Sequence, residues 1–94
     1  MRKVFSTIMS SGNALKVLDF MLDLPTDVSV KDICVGAKLS RKTADKVIKY
    51  FLLEKMLIQT RTVEKTKLYK MNSENIIVRK LLEVKKIFVE LMKY

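Results

Sequence analysis

The fold of this chain is decided by residues 29–51, SVKDICVGAKLSRKTADKVIKYF. The first part of this stretch opens with a serine and carries valine, isoleucine and alanine at helical spacing, which predicts a short capped helix over residues 29–37. Residues 38–39 form a turn, and Ser40 then caps a longer helix that extends to about Lys55. The apolar residues of the longer helix recur at steps of three and four, so one of its faces is predicted to be buried. The stretch therefore predicts two helices joined by a tight turn.

Helices are also predicted on both sides of this stretch. Residues 3–9 and 13–24 carry apolar residues at helical spacing, and Pro25 is expected to end the second of these segments. A long final helix is predicted from Ser73 to the C-terminus, with Ser73 as its N-cap residue and Glu74 in its first turn. The chain contains one proline and two glycines, so most of it is expected to form regular structure.

A β-hairpin is predicted between the central and the final helix. Residues 57–62, LIQTRT, and residues 66–71, TKLYKM, are rich in β-branched and aromatic side chains. Residues 63–65 would form the turn, although they lack the Asn-Gly or Gly-Gly pair that favours a hairpin. The order helix, helix, turn, helix, hairpin, helix is that of a winged helix-turn-helix. The predicted fold class is mostly α, with a small β-hairpin and a long C-terminal helix.

Residues 12–82 resemble small archaeal and bacterial winged helix-turn-helix regulators of the ArsR/MarR-like type. The matching pieces are Leu39-Ser40-Arg41-Lys42-Thr43 at the helix-turn-helix junction, Leu57-Ile58 entering the wing, and Leu68-Tyr69-Lys70-Met71-Asn72 leaving it. The resemblance implies a DNA-binding regulator whose recognition helix, at about 40–55, enters the major groove. It also implies that the wing, at about 57–71, lies on the flanking backbone or minor groove.

Three positions depart from the pattern of these regulators. The family often has glycine in the helix-turn-helix turn, before the first wing strand and at the wing tip, where this chain has Lys38, Met56 and Glu64. Lys38 would have to adopt a left-handed backbone conformation, which is uncommon for a residue with a side chain. Glu64 would bring a negative charge to the part of the wing that approaches DNA phosphates.

A chain of 94 residues is expected to build a single core. We expect one domain over residues 1–94, with a winged-helix body at 1–72 and a dimerisation helix at 73–94. No apolar run approaches the ~18 residues that a membrane span needs, and no secretory signal is recognisable. A cytoplasmic protein without a membrane partner is therefore expected. The lysine- and isoleucine-rich composition suggests an archaeal or viral source.

The composition argues against an enzyme and against a metal site. The chain has no histidine, and no nucleophile–base pair or phosphate-binding glycine loop is recognisable. Its one cysteine, Cys34, cannot hold structural zinc alone and is expected to be a buried structural thiol. Many ArsR-type regulators sense metals through sets of cysteine and histidine, and this chain offers no such set. We expect no metal and no cofactor.

The charge of the chain is strongly positive and unevenly distributed. Lys and Arg number 19 against 10 Asp and Glu, which gives a net charge of +9. Residues 41–70 contribute +6 of this charge, whereas residues 1–40 contribute +1 and residues 71–94 contribute +2. A small domain that is so basic usually binds a polyanion, and here the surplus coincides with the predicted recognition helix and wing.

The candidate contacts to double-stranded DNA lie in the predicted recognition helix and in the wing. They are Ser40, Arg41, Lys42, Thr43, Asp45, Lys46, Lys49, Arg61, Lys65 and Lys67. Arg41 and Lys42 can donate to the N7 and O6 atoms of guanine, and the methyl group of Thr43 can contact a thymine methyl. The next two lysines of the helix continue along the stripe that would follow the phosphates. Asp45 is expected to pair with Lys49, four residues later, or alternatively to accept from a cytosine amino group.

A homodimer is expected from the final helix. Its apolar residues recur at steps of four and three, and a second apolar stripe lies beside the first, which is more than a body of short helices would cover. The predicted dimer interface comprises Phe5, Ile8, Ile77, Leu81, Val84, Phe88 and Leu91. The alternative is a final helix that packs wholly against its own body.

Three functions remain open at this point. The first is a sequence-recognising transcriptional regulator that binds double-stranded DNA as a homodimer. The second is an architectural, chromatin-like protein of low sequence specificity, because lysine outnumbers arginine and suits phosphate contact more than base readout. The third is a protein-interaction module that retained the winged-helix scaffold and lost DNA binding, for which Glu64 at the wing tip is the main support.

Overall fold

The computed structural model describes residues 11–92, which form four helices and one antiparallel hairpin. The elements are α1 (Gly12–Met21), α2 (Val30–Ala37), α3 (Arg41–Leu53), β1 (Leu57–Val63), β2 (Thr66–Met71) and α4 (Ile76–Leu91). The predicted helix over residues 3–9 lies outside the described residues. The order of the remaining elements is the predicted one.

Serine side chains begin the first three helices. The hydroxyl of Ser11 accepts a hydrogen bond from the Ala14 amide at the start of α1. Ser29 begins α2 in a capping box, in which its hydroxyl accepts from the Asp32 amide and the Asp32 carboxylate accepts from the Ser29 amide. The predicted cap of α2 is therefore confirmed.

The turn between α2 and α3 contains the strained residue that the sequence indicates. Lys38 lies in the left-handed region at φ 58° and ψ 51°, and its amide donates to the carbonyl of Cys34. The amide of Leu39 donates to the same carbonyl at 3.0 Å, which closes the end of α2. Cys34 was predicted to be buried, and the structure shows it half-buried.

Two helix boundaries differ from the prediction. Helix α1 ends at Met21 and not at Leu24, because the Leu24 amide turns back to the Met21 carbonyl at 3.2 Å. Helix α4 begins at Ile76 and not at Ser73, and Asn75 is its N-cap residue. Ser73 and the residue after it lie in a turn, so Glu74 is not in the first turn of the helix.

The choice of Asn75 as the cap follows from its two sets of hydrogen bonds. Its Oδ1 accepts from the amides of Ile77 and Val78, at 2.8 and 3.3 Å. Its Nδ2 donates to the carbonyl of Lys55 at 3.1 Å, and Asn72 donates to the same carbonyl at 2.8 Å. These side-chain bonds fix the start of α4 against the end of α3.

The hairpin is longer and tighter than predicted. Val63 pairs with Thr66 and belongs to β1, so the turn consists of Glu64 and Lys65 alone. Both turn residues have positive φ angles, 49° and 71°, as a type I′ turn requires, and neither of them is glycine. The amide and carbonyl of Val28 pair with those of Tyr69, which forms an isolated antiparallel bridge beside β2.

The core lies between α1, α2, α3 and the hairpin. Its largest fully buried side chains are Phe51, Ile33, Met56, Leu57 and Val17. Met56, one of the three residues that depart from the resembled pattern, fills the core with its side chain. Helix α4 contributes Val78 to this core, with Leu81 packed partly against it. No helix within residues 11–92 is long and apolar enough to cross a membrane.

Candidate nucleic-acid interface

Helix α3 has one buried and one charged face. The buried face consists of Ala44, Val47, Ile48 and Phe51. The exposed residues include the predicted contacts Arg41, Lys42, Lys46 and Lys49. At 100° per residue, the three lysines lie together opposite the buried face, and Arg41 lies to one side of them. The predicted separation of apolar and cationic residues in this helix is confirmed.

The start of α3 is fixed by a hydroxyl pair. The hydroxyl of Ser40 accepts from the Thr43 amide at 3.3 Å, as predicted, and also donates to Thr43 Oγ1 at 3.0 Å. Both hydroxyls therefore serve the helix cap. The open end of the helix carries the positive pole of its dipole, which favours an anion there.

Asp45 pairs with a different residue from the predicted one. Arg41 Nε donates to Asp45 Oδ1 at 3.4 Å, whereas Lys49 was the expected partner. Both residues lie four positions away, but helical side chains point towards the N-terminus, which brings Asp45 to the preceding turn. The pair is exposed, and such pairs contribute little to stability. Its effect is to hold one edge of the guanidinium group.

A groove of about 630 Å³ separates the start of α3 from the wing. Its cationic lining residues are Lys31, Arg41, Lys65 and Lys67, and Tyr69 lines it as well. Lys31 was not among the predicted contacts. No signal in the sequence indicated it, because the turn joins the other end of α2 to the start of α3, and the tertiary arrangement brings Lys31 to the groove. The groove thus brings together cations from α2, α3 and the wing.

The wing arginine has an intramolecular partner. Arg61 Nε lies 3.1 Å from Asp27 Oδ2, and its Nη2 lies 3.4 Å from Oδ1. The hydroxyl of Thr60 also donates to Asp27 Oδ2. These two donors, Thr60 first and Arg61 second, lower the pKa of Asp27 below its usual value. Arg61 was predicted to contact DNA, and in the free chain it pairs with this carboxylate.

The other two wing cations are exposed. Lys65 forms the second half of the type I′ turn, and Lys67 follows it on β2 opposite Thr62. Among residues 11–92, neither lysine takes part in an ion pair. Glu64, beside Lys65 at the tip, is also exposed. The wing tip therefore carries adjacent charges of opposite sign.

The predicted dimer residues of α4 differ in exposure. Leu81 is partly buried against the core, and Ile77 is 37% exposed. Val84, Phe88 and Leu91 are exposed, the last two by 61% and 65%. Phe5 and Ile8 lie outside the described residues. The second half of α4 thus presents an uncovered apolar face.

Within residues 11–92, no group of three or more His, Cys, Asp or Glu side chains is placed to hold a metal ion.

Comparison with known proteins finds similar solved structures but no match at the level of sequence. No protein-family model matches the sequence, and no curated protein matches it. The fold is similar to the crystal structure of AntR, an antimony-specific transcriptional repressor, with a TM-score of 0.71 and 14% identity over 96% of this chain and 78% of AntR. It is also similar to the homodimeric winged helix-turn-helix DNA-binding domain of Mb0332 from Mycobacterium bovis, a possible ArsR-family regulator. That match has a TM-score of 0.65 and 14% identity over 90% of this chain and 74% of the fragment.

A third similar structure is an enzyme. Human N-acetylserotonin methyltransferase matches 77% of this chain with 24% of its own length, at a TM-score of 0.52 and 12% identity. Structural matches at such low sequence identity establish the fold and do not establish the function. The predicted winged helix-turn-helix fold is confirmed, and so is the structural resemblance to ArsR-family regulators.

Proposed function

We propose that this chain is a transcriptional regulator that binds double-stranded DNA as a homodimer. Helix α3 enters the major groove, and the wing lies on the flanking backbone or minor groove. The observation that carries the proposal is the exposed cationic face of α3, together with the groove that Arg41, at the start of this helix, shares with Lys65 and Lys67 of the wing. The similarity to a transcriptional repressor and to a DNA-binding domain supports the same conclusion.

The dimensions of α3 suit a major groove. Its 13 residues give a length of about 20 Å, and its diameter with side chains matches a groove about 12 Å wide. Lys42, Lys46 and Lys49 would contact phosphates along the groove walls. Arg41, at the start of the helix, has the planar group that can donate to both guanine acceptors.

A homodimer is supported by the uncovered face of α4. Val84, Phe88 and Leu91 recur at steps of four and three, and together with Ile77 they form one side of the helix. A two-fold axis along this face would bury it against the same face of a second copy. The dimer would then present two copies of α3 to half-sites about one DNA turn apart.

Low-specificity architectural binding is the second candidate, and one observation favours it. The central stripe of α3 consists of lysines, which contact phosphates as point charges and discriminate bases poorly. Arg41 alone on this helix offers a planar fork, so the degree of specificity rests on it.

Selection from a random duplex pool tests these functions together. We expect the wild-type chain to enrich one motif with two related half-sites, and Arg41→Ala combined with Lys46→Ala to lose both enrichment and affinity. Lys70→Gln combined with Lys86→Gln, which removes two positive charges from exposed lysines on the α4 side of the molecule, is the matched control and should leave the motif unchanged. Binding without enrichment would favour the architectural protein. Absence of binding would favour a protein-interaction module.

The dimer has its own test in sedimentation equilibrium. Phe88→Ser should convert the dimer to a monomer while the far-UV circular dichroism stays unchanged. Leu53→Ser, at an apolar residue of α3 that is also strongly exposed, is the control and should remain dimeric. A monomeric wild-type chain would contradict this part of the proposal.

A further inference from the structure

The carboxylate of Asp27 is the most heavily engaged polar group of the wing region. It accepts from the Thr60 hydroxyl and from two nitrogens of Arg61, at 3.1 and 3.4 Å for the arginine bonds. Its side chain is only 12% exposed, whereas that of Arg61 is 66% exposed. Asp27 therefore lies largely buried at the base of the wing, and the more exposed side chain of Arg61 covers it.

A β-bulge brings Thr60 to this acid. Gln59 pairs with Tyr69 and Arg61 pairs with Leu68, so Thr60 is the additional residue in β1. Its hydroxyl lies 3.4 Å from the Leu68 carbonyl as well as next to Asp27. A bulge of this kind redirects side chains, and here it directs two consecutive donors towards one carboxylate.

The backbone next to Asp27 is also joined to the wing. Val28 donates to the Tyr69 carbonyl at 2.8 Å and accepts from the Tyr69 amide at 2.7 Å. Helix α2 begins two residues later, at Val30. Side-chain and backbone bonds therefore link the wing to the segment that leads into the helix-turn-helix.

We propose that Asp27 positions the wing and keeps Arg61 out of the DNA interface, so that Lys65 and Lys67 make the wing's phosphate contacts. This inference rests on the proposed function. For Arg61 to move onto a phosphate, it would have to leave a carboxylate that is only 12% exposed without its charged partner and beside another anion, which is costly. Lys65 and Lys67 need to break no ion pair among the described residues before they reach DNA.

The salt dependence of DNA affinity distinguishes a withheld cation from a contacting one. Each phosphate contact contributes about −0.9 to the slope of log K against log salt. We expect Lys67→Gln to make the slope shallower by about 0.9 per subunit, because this lysine contacts a phosphate. Arg61→Gln should leave the slope of the wild-type chain unchanged, although the same positive charge is removed.

Removing the acid should reverse the behaviour of Arg61. In an Asp27→Asn background, Arg61 is released, and adding Arg61→Gln should then make the slope shallower by about 0.9 per subunit. Asp27→Glu should restore the wild-type behaviour, in which Arg61→Gln has no effect on the slope. If Arg61→Gln and Lys67→Gln change the wild-type slope equally, Arg61 contacts DNA and the inference is overturned.

A measurement without DNA separates this inference from the proposed function. In a carboxyl-carbon NMR titration of the free protein, Thr60→Val and Arg61→Gln should each raise the pKa of Asp27. A titration that neither variant alters would overturn the positioning role, whatever the DNA experiments give. A wild-type chain that fails to bind duplex DNA would overturn both the proposed function and the assignment of Lys65 and Lys67 to phosphates. That result would hold even if the titration confirms the contact between Asp27 and Arg61.

Discussion

Lys85 Nζ lies 3.1 Å from Asp23 Oδ1, which joins the last helix to the segment that follows the first. The same ammonium group lies 3.5 Å from Asp19 Oδ1 and donates to the Asp19 carbonyl. The lysine side chain is 19% exposed, and both carboxylates are largely exposed. This contact is a polar link between α4 and the end of α1.

Reversing the charge of Lys85 is expected to destabilise the fold more than removing the charge. Lys85→Met keeps the apolar stem, so the free energy of unfolding should change by less than about 1 kcal/mol. Lys85→Glu places like charges within about 4 Å and should destabilise by about 1 kcal/mol or more. Adding Asp23→Lys to Lys85→Glu should recover most of the loss in urea unfolding. A charge swap that recovers nothing would show that the ion pair is unimportant.

Gly36 lies under the ring of Phe20, where α2 crosses α1. A Cβ atom built on this glycine would lie 2.2 Å from Phe20 Cε1. Gly36→Ala should therefore lower the free energy of unfolding by about 1–3 kcal/mol, despite the better helix propensity of alanine. Gly12→Ala, where nothing lies within 4 Å, is the control and should not destabilise. In a Phe20→Ala background the cost of Gly36→Ala should disappear, and a cost that persists would contradict the steric explanation.

The contact between Asp27 and its two donors predicts a pH dependence. The lowered pKa means that the carboxylate stabilises the fold above the unfolded-state pKa, about 3.8, and loses this effect as the pH falls through the folded-state value. Asp27→Asn should therefore be less stable than the wild type at pH 7. The difference should shrink as the pH is lowered from about 4, when thermal unfolding is followed at each pH. A difference that is constant from pH 7 to pH 2 would contradict the assigned cause.

The type I′ turn of the wing has an unfavourable residue in its first position. Glu64 has φ 49°, a region that asparagine occupies more readily than glutamate. Glu64→Asn should raise the free energy of unfolding by roughly 0.5–1 kcal/mol and should also tighten DNA binding, because a negative charge leaves the wing tip. Glu74→Asn removes the same charge in a turn near α4 and should produce neither effect. A less stable Glu64→Asn variant would mean that the turn conformation is not limiting.

Local signals in the sequence were sufficient for most of the fold. Ser29 and Ser40 act on amides three residues away, so each cap was predicted from its neighbours alone. The faces of α3 followed from helical periodicity in the same way. These contacts depend on sequence distance and not on the tertiary arrangement. The left-handed conformation of Lys38 was predicted from the glycine that the resembled family often has at that position.

The structure differs from the sequence-based expectation in two situations. In the first, the partner of a residue is distant in sequence; in the second, two candidate partners lie the same number of residues away. Asn75 replaced Ser73 as a cap because it also bonds the Lys55 carbonyl, 20 residues away. The pairing of Arg61 was not predicted, because its partner Asp27 lies 34 residues earlier and no local pattern connects them. Asp45 had two candidates at equal spacing, and side-chain direction decided between them.

The salt dependence of duplex binding by a Lys46→Gln and Lys49→Gln double variant tests the central claim most directly. If the exposed face of α3 lies against DNA phosphates, the slope of log K against log salt should become shallower by about 1.8 per subunit. The control is Lys70→Gln with Lys86→Gln, which removes equal charge from lysines on the α4 side of the molecule and should leave the slope close to the wild-type value. Equal slopes for the double variant and the wild-type chain would contradict the account.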